Sequence, residues 1–469
     1  MEKYDVIVIG GGPGGYKCAI RAAQLGLKVA CVDKNRLLGG TCLRVGCIPS
    51  KALLDSSYKY YSAKHNLSKY GVVIDNVKFD LHKAMEIKDK VVQDLSNGIE
   101  FLLSYNKIKR FCGTAKISLI SADSFTIKVN DEKGEYQEIT SKNVVIATGS
   151  QPSALPNVNI DEKDILSSDS ILSLSNPPKR LAVIGGGVIG IEMSSVWSRL
   201  GSEVTIIECS SQIAASMDSD ISKSLMNSLK KSGIKFQMSS KVTSVHYKDK
   251  GLVVECESLI DNQVTIIEVD KVLVAVGRNP CTENLIELYD IVKDDKGFIV
   301  VNDKFETNVK GIFAIGDVIG GAMLAHKAEK EGHVVAELIA GYSSYIDYEI
   351  IPNVIYTHPA VASVGKTEDY LKSIKYDYNV GKSNFSANGR ARATGEDEGF
   401  VKVLTCKKTD AIIGVHIFGT YADTMINEVV VAMTYKASSE DIYHICHSHP
   451  DVNEVFKDAC EIAFLKYKK

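Results

Sequence analysis

The chain has 469 residues, of which 45% are hydrophobic and 24% charged, with a formal net charge of -3. These are the proportions of an ordinary soluble globular protein long enough for three domains, and the small net charge gives no electrostatic footprint for nucleic acid. No apolar run reaches the roughly 18–20 residues that span a bilayer. Eleven scattered cysteines follow no disulfide-scaffold spacing, so a reducing compartment is expected.

Residues 4–9 (YDVIVI) read as a short strand, with no signal-peptide layout before it, so a bacterial cytoplasmic protein or a processed organellar matrix form is expected. Gly10, Gly12 and Gly15 follow, then a helical stretch, then a second strand that ends on Asp33. Strand, spaced glycines, helix and acid together predict a dinucleotide-binding unit. The glycines permit a tight turn and close approach to a pyrophosphate, the helix start offers N–H groups, and the acid takes a ribose hydroxyl.

Residues 39–51 (GGTCLRVGCIPSK) place Cys42 and Cys47 five positions apart, with Gly46 beside the second. An ideal helix would separate those Cα atoms by roughly 8–9 Å. A disulfide needs about 4.4–6.8 Å, so the turn must leave regular helix, and Gly46 makes that cheap. A bridge over so short a loop stabilises little, which suits a disulfide made and broken in turnover. The plainer alternative is a pair of unrelated buried thiols.

Amphipathic helices are expected near 51–65 and 80–105, the second with Met85, Ile87, Val91, Val92 and Leu95 as its apolar residues. A β-rich excursion near 114–140 and VVIATGS at 144–150 follow, and residues 152–178 have loop composition. The first unit then returns, displaced by 175: Gly185, Gly187 and Gly190, a helix to Gly201, and Glu208, again eighteen residues past the last glycine. Two such units imply two dinucleotides and electrons passed between them. Strand-like runs near 241–276 precede GIFAIGDV at 311–318, where the Asp317 carboxylate is placed to take a sugar hydroxyl. From about residue 346 the pattern changes to strands and two amphipathic helices without a nucleotide motif.

The runs GGTCLRVGCIPSK, ATGS, VIGGGVIGIE, AVGRNP, AIGD, MLAHKAEKEG, NVIYTHPAVASVG, FSANGRARAT and ICHSHPDVNE carry a resemblance over nearly the full length. The chain resembles the two-cysteine flavin disulfide oxidoreductases of the class I pyridine nucleotide-disulfide oxidoreductase family. That resemblance implies an α/β protein with two Rossmann-like domains and a C-terminal α+β dimerisation domain. Residues 1–150 and 277–345 would form the FAD-binding domain, 151–276 the NAD-binding domain and 346–469 the interface domain. It implies that the first repeat holds FAD and the second NAD, which glycine spacing alone does not assign.

The resemblance also implies roles. Cys42 would exchange with the substrate and Cys47 would be the thiolate against the flavin. His449 would be the acid–base and Glu454 its orienting partner, serving the cysteines of the other subunit of a homodimer. His444 and His447 read as ordinary surface or core residues. Gly10, Gly12, Gly15, Asp33, Lys34, Gly40, Thr41, Lys51, Gly113, Thr148, Gly149, Ser150, Asp317, Met323, Leu324, Ala325 and His326 would contact FAD. Gly185, Gly187, Val188, Ile189, Gly190, Glu192, Glu208, Val242 and Gly277 would contact NAD; plain packing is the competing reading for Val242, and a surface ion pair for Lys51 with Glu192. Glu208 without a neighbouring arginine argues for NAD over NADP. No metal site is expected. The implied activity is oxidation of dihydrolipoyl groups on lipoyl domains of 2-oxoacid dehydrogenase or glycine-cleavage complexes. The rivals are reduction of another disulfide or a metal ion, or a non-catalytic scaffold subunit. Arg44 and Ala360 depart from the family, which has asparagine and glutamate there.

Overall fold

The structure, a computed structural model, describes residues 1–120, 124–248, 251–283, 285 and 290–468. It divides into two compact units, residues 1–53, 80–153 and 277–346 in one and 54–79, 154–276 and 347–469 in the other.

In the first unit the strand Glu2–Ile9 lies between Val29–Asp33 and Tyr136–Ile146, parallel to both, with Lys109–Cys112 beyond Val29–Asp33. Ile312–Ala314 adds to Tyr136–Ile146 in parallel, and Phe125–Asn130 and Thr114–Ile120 extend the sheet antiparallel. Val6, Ile7 and Val8 are fully buried, as are Val144, Val145 and Ile146, because helices and loops cover both faces of a parallel sheet. Helix Pro13–Gln24 packs on helix Ala325–Ile339 at glycines: a Cβ on Gly332 would meet the Gly14 carbonyl oxygen at 2.4 Å.

The helix expected near 80–105 runs Leu81–Tyr105, capped by Asp80, whose carboxylate accepts from the Lys83 N–H. Its buried row is Leu81, Lys88, Val92, Ser96, Ile99 and Leu103, whereas Ile87, Val91 and Leu95 are exposed. The apolar positions in the sequence span a wider arc than the unit covers, so composition misjudged which edge is inside.

In the second unit a parallel sheet runs in the order Lys235–Gln237, Glu203–Ile207, Arg180–Ile184, Lys271–Val274, Ile165–Leu166. The antiparallel ribbon Ser240–Lys248, Gly251–Ser258 and Val264–Val269 stands beside it as a separate sheet. The C-terminal part is a five-stranded antiparallel sheet, Asn353–Ile355, Ala360–Gly365, Ile412–Gly419, Phe400–Cys406 and Tyr378–Asn384. Two long helices there, Ala422–Thr434 and Glu454–Tyr467, match the two expected; the helices Glu368–Ser373, Gly389–Thr394 and Ser439–His444 are six residues each, too short to show periodicity.

Lys402 on the C-terminal sheet is 1% exposed and binds Asp218 at 2.9 Å, Asp220 at 3.2 Å and Glu368 at 2.6 Å. Asp218 also caps helix Ser219–Lys231, so a buried cation ties the nucleotide-type fold to the C-terminal sheet. Among the described residues, no helix is long and apolar enough to cross a membrane.

Candidate active site

Both glycine loops repeat down to single hydrogen bonds. Gly10 and Gly185 share a φ of 109°, and their N–H groups bond to Val32 O at 2.8 Å and Ile207 O at 2.9 Å. A Cβ on Gly10 would meet Ala147 O at 2.2 Å, and one on Gly185 would meet Ala275 O at 2.4 Å. Each acid accepts the N–H of the loop's second glycine: Gly11 to Asp33 Oδ2 and Gly186 to Glu208 Oε2, both at 2.6 Å. A second N–H two residues on, from Asn35 or Ser210, reaches the other oxygen at 2.7 Å in both copies. The sequence match at a displacement of 175 is therefore a match of mechanism: the acid braces the turn and keeps further lone pairs for a ligand hydroxyl.

Helices Pro13–Gln24 and Val188–Arg199 start on Gly12 and Gly187, which carry no capping side chain. Their first-turn N–H groups are left for an anion, and the glycines leave the space that a Cβ would fill. The residues present fit two dinucleotides.

The cysteine stretch grows directly from the first loop. Gly39 N donates to Gly11 O at 2.8 Å, and a Cβ on Gly40, at φ 62°, would lie 2.6 Å from the Gly12 Cα. Thr41 and Cys42 lie in the short helix Gly40–Val45; Gly46 breaks it and Cys47 opens the helix Cys47–His65. A Cβ on Gly46 would sit 2.9 Å from Thr41 O and 3.2 Å from Cys42 Cα, so glycine is demanded by close approach to the cysteine's own backbone. None of the eleven cysteines is in a disulfide here, and both members of the pair are half-buried. A hydrogen bond between the Cys42 and Cys47 side chains, then burial and repulsion by Cys47, push the Cys42 thiol far up against the pull of Lys51. Two thiols this close do not both ionise, so the pair keeps one proton. Lys51 stands one turn into the long helix beside Ser50, whose hydroxyl donates to Cys47 O at 3.0 Å. Arg44 Nε is enclosed and makes no hydrogen bond, and Lys51 is the cation that acts on Cys42.

Asp317 sits in the turn Gly316–Ile319 and accepts from Ser150 Oγ at 2.6 Å; Arg278 in turn donates to Ser150 Oγ at 2.7 Å and Ser150 O at 2.8 Å. Thr148 Oγ1 donates to Cys281 O at 2.7 Å, and Gly149 O accepts from Cys281 N at 2.9 Å. Gly113 N donates to Asp33 O at 2.9 Å, and Lys34 is exposed beyond Asp33. Met323 and Leu324 lead into Ala325 and His326, the first turn of helix Ala325–Ile339. The first unit therefore collects every residue expected to contact FAD.

In the second unit Val188 and Ile189 open the second loop's helix, and Glu192 within it is 3% exposed and accepts from Tyr356 N at 3.0 Å. That burial argues against the competing reading of Glu192 as one half of a surface ion pair. Val242 is a core residue among Val254 and Val272 at a bulge in its strand. Gly277, at φ 131°, belongs to the first unit, where its carbonyl accepts from Ser153 N at 3.0 Å. His449 Nδ1 meets Glu454 Oε1 at 3.0 Å and Oε2 at 3.2 Å, and the imidazole is 77% exposed. The Asp451 N–H, then His449, hold the Glu454 carboxyl below its ordinary value, which keeps it an acceptor for the ring. His447 is a support, bonded to Glu428 at 3.0 Å, and His444 packs on Tyr443 and Phe464. Ala360 is 4% exposed in the apolar core of the C-terminal sheet.

Sequence reasoning passed over Lys327 and Glu331. They pair at 3.0 Å with exposures of 2% and 0%, and they bond the turn that carries Asp317. Their spacing of four inside MLAHKAEKEG was the available signal.

Residues 4–332 match the family described as "Pyridine nucleotide-disulphide oxidoreductase", and residues 351–460 match its dimerisation domain. The chain belongs to the pyridine nucleotide-disulphide oxidoreductase family. It is 48% identical over 466 residues to the mitochondrial dihydrolipoyl dehydrogenase of Pisum sativum, covering 99% of this chain and 92% of that one. It is 49% identical over 468 residues to the mitochondrial dihydrolipoyl dehydrogenase of Dictyostelium discoideum, covering 99% and 95%. The crystal structure of LpdA from Mycobacterium tuberculosis has the same fold, with a TM-score of 0.90 at 23% identity over 98% of this chain and 99% of that one.

Proposed function

We propose that Cys42, Cys47, His449 and Glu454 carry out the dihydrolipoyl dehydrogenase activity of this NAD-dependent flavoprotein oxidoreductase. The hydrogen-bonded thiol pair carries that reading: it keeps one proton, and Cys47 opens a helix on the far side of the Gly46 break. A thiolate of the substrate attacks Cys42 Sγ in the oxidised pair, the Cys42–Cys47 bond breaks and Cys47 leaves as thiolate. His449 takes the proton of the substrate thiol, and Glu454 on Nδ1 leaves Nε2 as the base. The second substrate thiol displaces Cys42, which leaves with a proton as its raised affinity favours, and the substrate departs as a disulfide. Bound FAD would supply the two-electron acceptor chemistry that links the dithiol to NAD. Gly10, Gly12, Gly15, Asp33 and Asp317 would hold FAD; Gly185, Gly187, Gly190 and Glu208 would hold NAD.

The partners in this reading are lipoyl domains of 2-oxoacid dehydrogenase or glycine-cleavage complexes. The chain works as a homodimer in which His449 and Glu454 of one subunit serve the cysteines of the other, in bacterial cytoplasm or an organellar matrix. The match of residues 351–460 to a dimerisation domain supports the dimer. The test mixes purified protein with dihydrolipoamide and NAD and follows NADH, with NADPH and oxidised glutathione in parallel. Fast NADH formation and a silent parallel assay are expected; turnover in the glutathione assay alone would overturn both substrate and cofactor assignments.

A further inference from the structure

Asp317 is held in a turn that regular structure does not support. Gly316, Gly320 and Gly321 around it have φ of 78°, 76° and 69°, and the turn Gly316–Ile319 is only four residues long. Its backbone is instead gripped by two buried charges from the next helix. Lys327 Nζ donates to Gly320 O at 2.8 Å and Gly316 O at 3.3 Å, and it pairs with Glu331 Oε1 at 3.0 Å. Glu331 Oε2 accepts from Gly316 N at 2.7 Å. Both backbone groups of the residue before Asp317, and the carbonyl that closes the turn, thus end on one ion pair.

A buried ion pair is a poor stabiliser, because desolvation offsets the attraction, and an apolar pair would hold a helix as well. The Lys327–Glu331 pair fixes a position instead. The same helix crosses Pro13–Gln24 at Gly14 and Gly332, so the glycine loop is seated by that close glycine contact and not by the ion pair. We propose that Lys327 and Glu331 are positioning residues that set Asp317 against the polyhydroxyl chain between the flavin ring and the pyrophosphate. The proposal rests on the reading that the first repeat holds FAD.

The test titrates full-length protein freed of flavin with FAD and, separately, with ADP, which lacks the polyhydroxyl chain and needs only the glycine loop and Asp33. Glu331→Gln, which keeps the shape and an acceptor but removes the charge, should weaken FAD about tenfold to a hundredfold, the scale of one or two charge-assisted hydrogen bonds. ADP affinity should stay within about twofold of the parent, a change below 0.5 kcal/mol. Equal losses for FAD and ADP would make the pair merely structural, and unchanged FAD binding would also overturn the proposal. Should Glu331→Gln fail to fold, the double variant Lys327→Met with Glu331→Leu removes both charges together. It should fold, bind ADP normally and bind FAD weakly; normal FAD binding by that variant would refute the positioning role. Failure of the parent protein to bind FAD would count against the functional reading itself.

Discussion

The repeated loops allow one experiment to ask which dinucleotide each holds. In Gly15→Ala the new Cβ would lie 1.8 Å from Gly10 O, and in Gly190→Ala 2.1 Å from Gly185 O, where ordinary contact begins near 3.4 Å. Both meet backbone, so relief requires the loop to open by more than about 1 Å, since no side chain is there to swing away. Overpacking of this kind costs about 1–3 kcal/mol, roughly five- to 150-fold in binding. Gly15→Ala should be purified with little flavin, read as absorbance near the flavin band per chain. Gly190→Ala should keep its flavin and show a raised KM for NAD with dihydrolipoamide as donor. Loss of flavin from Gly190→Ala with NAD binding intact would reverse the assignment. Parent-like behaviour of both would refute the idea that these glycines make room for a cofactor.

Other outcomes follow from particular contacts. His449→Gln should lower dihydrolipoamide oxidation by about 10²–10⁴-fold, the usual worth of a general base, while flavin content is unchanged; near-normal turnover would remove His449 from the mechanism. Glu208 should enforce NAD, so comparable kcat/KM with NADP would refute its role. Lys402→Met leaves Asp218 and Glu368 without their shared cation and should cost about 3–5 kcal/mol, read from the urea midpoint. Burial alone would raise the Glu368 carboxyl, but Lys402, Lys372 and Tyr378 donate to it and hold it at about 2. Its folded value lies below the ordinary glutamate value of 4.5, so its contribution is present above that pH and lost as pH falls toward about 2. Urea midpoints in Glu368→Gln should therefore lose that part of their acid dependence.

Local pattern made the nucleotide loops and the Gly46 break legible, because each is a short stretch in which spacing dictates geometry, whereas the His449–Glu454 pair was legible only through the family resemblance. Long-range partners were not legible. Nothing near Lys402 in sequence announces Asp218, 184 positions away, and a lysine in a strand reads as a solvent-facing residue until its acids arrive. Glu192 is likewise held by a partner that no local pattern names, Tyr356 N, 164 positions on. On the helix Leu81–Tyr105, composition gave the element but not its inner edge, since Lys88 is buried and Leu95 is not. Lys327 and Glu331 fell in a motif already noted, yet their partners are backbone groups of a turn that sequence does not display.

The glycine-to-glycine crossing of Pro13–Gln24 with Ala325–Ile339 has a consequence for biosynthesis. Gly14 and Gly332 are joined in space but lie 318 positions apart in the chain. At about 5–20 residues per second, roughly 15–60 s pass between the emergence of one and the other from the ribosome. Meanwhile Val6–Ile9 and the helix after them lack the cover that buries them in the finished protein. The stretch 154–276 carries its own sheet and can close first, so the earliest-made strands are among the last to be sealed. That order leaves the apolar strands of the nascent amino terminus uncovered for longest.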